Sequence, residues 1–226
     1  MTTRPYVILS AAMSVDGYLD DARPDRLLLS NAADFDRVDQ VRAESDAILI
    51  GANTLRQDNP RLLVNSEKRR AQRIADGKPA YPLKVTVTGT GDLSADLKFW
   101  HHGGEKLVVT VDGAVEKMRA SLGDLADVVG VGPDLDWGLV LDELGRRGIR
   151  RLMVEGGGVV HTQLMAANLA DEVHLAIAPL LVGQPEAARF LGAADYPGGS
   201  IARMKVLEVR AIDDVVLVRY APKERG

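Results

Sequence analysis

Nine short apolar runs, most of them rich in β-branched residues, recur along the chain: residues 6–12, 47–50, 83–88, 106–111, 127–131, 151–154, 173–178, 204–209 and 215–220. Each has the length of a strand, and helical patterns separate most of them. Ala32–Ser45 places Phe35, Val38 and Val41 at a spacing of three, with Ser30 or Asn31 as the N-cap. A second helix opens at Asp112 or Gly113 and runs to Leu122. A third covers Asp136–Arg147, turns Leu139, Leu141 and Leu144 inward, and stops at Gly148. A fourth covers Val159–Asn168. Strands alternating with helices dictate an α/β fold, with a mostly parallel sheet of about nine strands and helices on both faces. The last two runs have no helix between them, so they form an antiparallel hairpin at one edge. No repeat or linker interrupts the pattern, and residues 1–226 are expected to form a single domain.

Composition removes several function classes. The chain of 226 residues contains no cysteine, which excludes disulfides, thiolate metal sites and cysteine nucleophiles. Its net charge of −4 argues against general nucleic-acid binding. The opening MTTRPYVILSAAMS alternates like a strand and is too short to span a membrane, so a cytoplasmic protein without membrane partners is expected. The adjacent His101 and His102 have no acidic cluster beside them, and no metal site is expected.

Three corners stand out. LMVEGGGVVHTQL (residues 152–164) runs a strand into Glu155 and three consecutive glycines, then into a helix. That order points free backbone N–H groups at an anion, although a tight strand-to-helix turn has the same sequence. GANTLRQDNPRLLVN (residues 51–65) follows another strand, and it puts Thr54 and Asp58 on one face of a short helical turn. Such a position is the usual ligand crevice of an open α/β sheet, but Asp58 and Asn59 could equally serve only to turn the chain. AMSVDGYL (residues 12–19) contains an Asp-Gly turn whose solitary reading is structural. Gly130 and Gly132 in VVGVGPD offer a further loop of close approach. The basic stretch Asn65–Pro82, with Lys68, Arg69, Arg70, Arg73 and Lys78, reads either as a phosphate-meeting flap or as a solvated helix.

Taken in order, SVDG, VRAESDAILIGANTLRQDNPRL, GIRRLMVEGGG and DEVHLAIAPLLVG resemble the riboflavin-pathway pyrimidine reductases, over nearly the whole chain from Pro5 to about Arg219. The resemblance implies a dihydrofolate-reductase-like fold. It also implies a homodimeric, NADPH-dependent enzyme that reduces a ribosylamino-pyrimidine 5′-phosphate, a small-molecule substrate, by hydride transfer to the sugar C1′. Bacterial members are often fused behind a zinc deaminase domain, which is not expected in this cysteine-free chain. Carried over by position, Thr54, Asp58, Thr88 and Gly89 would contact the cofactor, and Gly156, Gly157, Gly158, Val159 and Val160 would take its pyrophosphate. Arg42, Leu62 and Glu155 would face the substrate, and Glu155 and Asp58 are the candidate catalytic carboxylates. Preference for NADPH is expected because Thr86, Thr88, Thr90 and Thr110 cluster near strand ends, and no acid stands where a ribose 2′-hydroxyl would be read. The chain departs from the pattern at Ser10, where members usually carry lysine, at Thr88-Gly89, where Asp-Ser is common, at Asn59, where an aspartate is common, and at Asn65, where they usually carry arginine. Arg61 or the basic stretch would then supply charge for the substrate phosphate. Two other readings stay open: a dihydrofolate or pterin reductase, and a nucleotide-binding protein without turnover.

Overall fold

The computed structural model describes residues 4–23, 25 and 27–222. Its elements run β1 (Tyr6–Ser14), α1 (Ala32–Glu44), β2 (Ala47–Gly51), α2 (Ala52–Asp58), α3 (Glu67–Ala75), β3 (Leu83–Thr88), α4 (Lys98–His101), β4 (Lys106–Thr110), α5 (Val115–Leu122), β5 (Asp127–Gly130), α6 (Trp137–Arg146), β6 (Arg151–Gly156), α7 (Gly158–Ala166), β7 (Glu172–Ala178), β8 (Lys205–Ile212) and β9 (Val215–Ala221). The strands form one α/β sheet in the order β5-β4-β3-β2-β6-β1-β7-β9-β8. β1 pairs parallel with β7, and β2 through β5 pair parallel in turn, whereas β9 pairs antiparallel with both β7 and β8. The nine expected strands and the carboxy-terminal hairpin are therefore present. No helix of the described residues is long and apolar enough to cross a membrane.

By packing, the chain divides into two compact units. One comprises Asp39–Met153 with the first residues as far as Pro5; the other comprises Tyr6–Val38 with the chain from Val154 onward.

In the first unit, Ile48, Ile50, Leu55, Leu62, Val108 and Met118 pack around Phe99 and Trp100, whose rings meet edge-on at 4.8 Å. Asp136 caps α6 by accepting the Leu139 N–H at 2.9 Å. That start fixes the helix phase, so Trp137, Val140, Leu141 and Leu144 form the buried stripe at i, i+3, i+4 and i+7. Leu139 falls outside the stripe and is exposed, against the inward placement expected from the sequence.

In the second unit, Asn31 caps α1, its side-chain oxygen accepting the Asp34 N–H at 2.8 Å. Phe35, expected on the apolar face of that helix, is exposed; the buried member of the first turn is Asp34, paired with Arg37 at 2.7 Å. Along the sheet, Glu172 receives Arg219 Nε at 2.6 Å, contacts His174 Nε2 at 2.9 Å and accepts the Tyr6 hydroxyl at 3.2 Å. These partners hold the Glu172 carboxyl at about 2 despite its burial. β8, at the sheet edge, leaves Val206 and Val209 more than half exposed.

Candidate active site

In the first unit, β2 passes directly into α2 at Gly51, which lies beside Val87 of β3 in the parallel register. Thr54 and Asp58 of α2 and Gly89 just past β3 therefore share one carboxyl edge of the sheet. Thr54 is half-buried, Asp58 is exposed, and a Cβ at Gly89 would meet nothing within 4 Å. Thr88 does not present its hydroxyl to a ligand as expected: the side chain is buried and its Oγ1 accepts the Gly91 N–H at 3.2 Å. Thr86 and Thr110 are also buried, so of the four threonines only Thr90 is exposed. The strand ends carry two cations instead. Arg56 Nη1 donates to the Asp92 carbonyl at 2.7 Å, and Lys117 Nζ donates to the Thr90 carbonyl at 3.3 Å. Sequence reading missed both: Arg56 lies in the quoted 51–65 stretch but away from the Thr54–Asp58 face, Lys117 belongs to no motif, and they meet the 89–92 loop through α2 and α5.

The loop between α2 and α3 (residues 59–66) has no regular structure, yet its main chain is held throughout. Asn59 ends α2 in the left-handed region (φ 41°), and Leu62 lies there too (φ 53°). The Arg61 carbonyl accepts from Lys84 Nζ at 3.0 Å, that of Leu63 from Arg42 Nη1 at 2.9 Å, and those of Val64 and Asn65 from Arg70 at 2.9 and 2.7 Å. Asp39 accepts the Asn65 and Ser66 N–H groups. One expectation changes here. Leu62 sends its side chain into the core, leaving its main chain as the part a substrate could meet. Arg42 braces the Leu63 carbonyl and is half-buried at the end of α1.

The basic stretch is mainly structural. Ser66 caps α3, and Arg69 pairs with Asp39 at 2.9 Å. Arg73 is buried, donating to the Ala43, Ser45 and Pro79 carbonyls, and Lys78 pairs with Asp46 at 2.9 Å. Arg61 and Lys68 are exposed, as is the paired Lys78. The VVGVGPD loop is structural as well: a Cβ on Gly130 would stand 2.2 Å from Asp112 Oδ1, which accepts the Gly132 N–H at 3.0 Å. His101 and His102 are exposed, as expected of a surface pair. Among the described residues no cluster of three His, Asp or Glu side chains could hold a metal.

In the second unit, β6 carries the half-buried Glu155 at its penultimate position and ends at Gly156. Gly157 turns the chain at φ 84°, where a β-carbon is disfavoured, and α7 begins at Gly158. No side chain caps α7, so its first N–H groups face outward from the helix start with the positive end of the helix dipole. Gly158 has a different reason to be glycine: a Cβ there would stand 2.1 Å from the Arg189 carbonyl oxygen. Val159 is exposed, whereas Val160 is buried and can offer a ligand only its main chain. His161 is buried beneath the turn, its Nε2 3.4 Å from the Val154 carbonyl and its ring 5.1 Å from that of Phe190. Burial pulls it down to about 4, so it is neutral at physiological pH. The Asp16-Gly17 turn is structural: Asp16 accepts the Ser14 hydroxyl and the Val182 and Gly183 N–H groups.

An α/β sheet of this kind is that of the dihydrofolate-reductase-like reductase domains. RibD from Acinetobacter baumannii matches with a TM-score of 0.81 at 24% identity, covering 98% of this chain and 59% of that one. The chain thus spans a little over half the length of that solved relative. The chain belongs to the RibD C-terminal domain family, whose pattern matches residues 5–218. Two relatives bear the name 2,5-diamino-6-ribosylamino-4(3H)-pyrimidinone 5′-phosphate reductase. That from Archaeoglobus fulgidus is 36% identical over 181 residues, 80% of this chain and 83% of the relative. That from Methanothermobacter thermautotrophicus is 34% identical over 222 residues, 97% of this chain and 99% of the relative.

Proposed function

We propose that the protein is an NADPH-dependent reductase of a ribosylamino-pyrimidine 5′-phosphate, acting in the cytoplasm as a homodimer of single-domain chains. The observation that carries this reading is the glycine corner. An uncapped helix start with Gly157 at its N-cap fits a pyrophosphate, and Glu155 stands two residues earlier on β6. A bound reduced nicotinamide supplies the hydride, and the chain's own groups bind and orient. The α7 N–H groups hold the diphosphate. Thr54, Asp58 and Gly89 contact the remainder of the cofactor. Arg56 and Lys117, converging on the 89–92 loop, put positive charge where an adenosine 2′-phosphate needs it, which supports NADPH over NADH. Glu155 accepts from the amino and ring N–H groups of the pyrimidine and fixes the sugar C1′ against the hydride donor. Arg61, aided by Lys68, meets the substrate phosphate in place of the arginine missing at Asn65.

Support for the homodimer comes from β8. It is an edge strand with apolar side chains exposed along it, and an unpaired edge is a template for pairing with another copy. Light scattering is expected to give twice the 24.4 kDa chain mass. The function is tested by following NADPH oxidation with the deaminated and undeaminated ribosylamino-pyrimidine phosphates, their dephosphorylated nucleosides, dihydrofolate and a pterin. Turnover confined to a phosphorylated pyrimidine is the expected result. Equal turnover of a nucleoside or of dihydrofolate would overturn it.

A further inference from the structure

Lys84 has no part in the chemistry proposed above, yet it is among the largest fully buried side chains, 1% exposed in the middle of the first unit. It sits on β3 opposite Ile48 of β2 and Lys106 of β4. Its Nζ lies 3.0 Å from the Arg61 carbonyl, donates also to the Phe99 carbonyl, and stands 4.4 Å from the centre of the Phe99 ring. The charged group acting on it most is Lys106, itself a cation, and burial pulls Lys84 down to about 7 from the usual lysine value. Taking an ammonium out of water costs several kcal/mol even when its protons are used. Methionine would fill the same volume without that cost.

The group held by this lysine explains why the cost is borne. Arg61 immediately precedes Leu62, a β-carbon-bearing residue in the left-handed region, and Asn59 is a second such residue three positions earlier. Each such residue is strained by roughly 1–2 kcal/mol and persists only where its surroundings fix it. Arg42 and Arg70 hold the loop from Leu63 onward; in its first half Leu62 is buried in the core, Asn59 Oδ1 accepts the Lys98 N–H at 2.7 Å, and Lys84 ties the Arg61 carbonyl to that of Phe99. We propose that Lys84 is a positioning residue: by bridging the Arg61 and Phe99 carbonyls it fixes the turn at Leu62 and so sets where Arg61 stands for the substrate phosphate. This inference rests on the assignment of Arg61 to the substrate.

The test combines a loop measurement with kinetics. Lys84→Met is expected to speed amide hydrogen exchange at residues 61–66 by roughly tenfold or more. It should raise KM for the pyrimidine phosphate roughly tenfold, with kcat and the KM for NADPH within about a factor of three. Because the chain has no cysteine, Lys84→Cys can be alkylated with bromoethylamine at that one site, rebuilding a lysine-length ammonium. Aminoethylation is expected to restore both loop protection and KM; the same pair carries the comparison if Lys84→Met fails to fold. Unchanged exchange and KM in a folded variant would overturn the proposal, as would a parallel fall in kcat and in the affinities for both ligands. Wild-type protein inactive on every pyrimidine phosphate would overturn the substrate reading alone, while the exchange result would still decide the clamp.

Discussion

After β6 the main chain turns on Gly157 and presses Gly158 against the Arg189 carbonyl, whereas after α2 it turns on Asn59 and Leu62 while Lys84, Arg42, Arg70 and Asp39 grip it from outside. The first corner is shaped by what it lacks, side chains, and the second by side chains lent from β3, α1 and α3. The contrast teaches that a turn can be fixed by steric permission or by donors recruited from afar. The two modes should fail differently, the first by clash and the second by loosening.

Gly158→Ala is expected to have the largest effect. Its β-carbon cannot coexist with backbone oxygen 2.1 Å away, so the start of α7 must shift. Thermal or urea unfolding should show a loss of ~3 kcal/mol, with cofactor binding lost as well. Glu155→Gln comes next, leaving the fold intact. The amide replaces one acceptor oxygen with an NH2 donor, so two N–H groups side by side can no longer both be received, and kcat/KM should fall by ~10- to 150-fold, the equivalent of 1.5–3 kcal/mol, with cofactor Kd unmoved. Unchanged kcat/KM would make Glu155 only a turn residue. Asp39→Asn tests the recruited mode. Weakening the acceptor for the Asn65 and Ser66 N–H groups and for Arg69 should cost ~1.5 kcal/mol and raise substrate KM several-fold, readable from urea titration and initial rates. Gly89→Ala, with open space around it, should alter stability by no more than ~0.5 kcal/mol.

The two units should also respond to pH in different windows, though in the same direction. Glu172 is held at about 2, below its ordinary 4.5, so the stability it contributes is complete above pH 4.5 and is lost as pH falls toward 2. His161, at about 4 rather than 6.5, is neutral when folded, so the unfolded chain takes up the proton first and stability falls from pH 6.5 toward 4. Lys84, at about 7 rather than 10.5, has the same sign in a higher window: the unfolded chain holds the extra proton between those values, and stability rises with pH across that window. Site-resolved hydrogen exchange, corrected for intrinsic rates, should show α7 and β7 loosening first on acidification. Lys84→Met should abolish the gain on the alkaline side.

Strand positions were legible because β-branched runs of fixed length alternate with helices, and the carboxy-terminal hairpin followed from the missing crossover. The glycine corner was legible for a local reason, since φ of Gly157 and the tight contact at Gly158 leave only one residue type. Helix phase was less so. Leu139 looked inward until Asp136 set the start of α6 one step differently, and Phe35 looked buried until the Asp34–Arg37 pair took that face. The braced loop was not legible at all. Lys84, Thr86 and Thr88 alternate with valines as though facing solvent, but the parallel sheet is covered on both sides and all three are buried. Nothing local marks a lysine whose acceptors, Arg61 and Phe99, lie 23 residues before it and 15 after. Likewise the arginines of α3 advertise a phosphate site, and their carbonyl partners are known only once the chain has folded back.

The strand order carries a consequence for how the chain is made. β1 lies between β6 and β7, so once synthesised it has no neighbour in the sheet until residue 151 follows, and its register with β7 waits for residues 172–178. The stretch Asp39–Met153, in contrast, contains β2 through β5 in unbroken succession, each pairing with the next. Local pairings form early and distant ones late, since loop-closure entropy comes before the reward of contact. The apolar strand β1 thus waits unpartnered while more than a hundred residues are made, exposed to chaperones and to other nascent chains, and the glycine corner forms only once β6 and α7 follow.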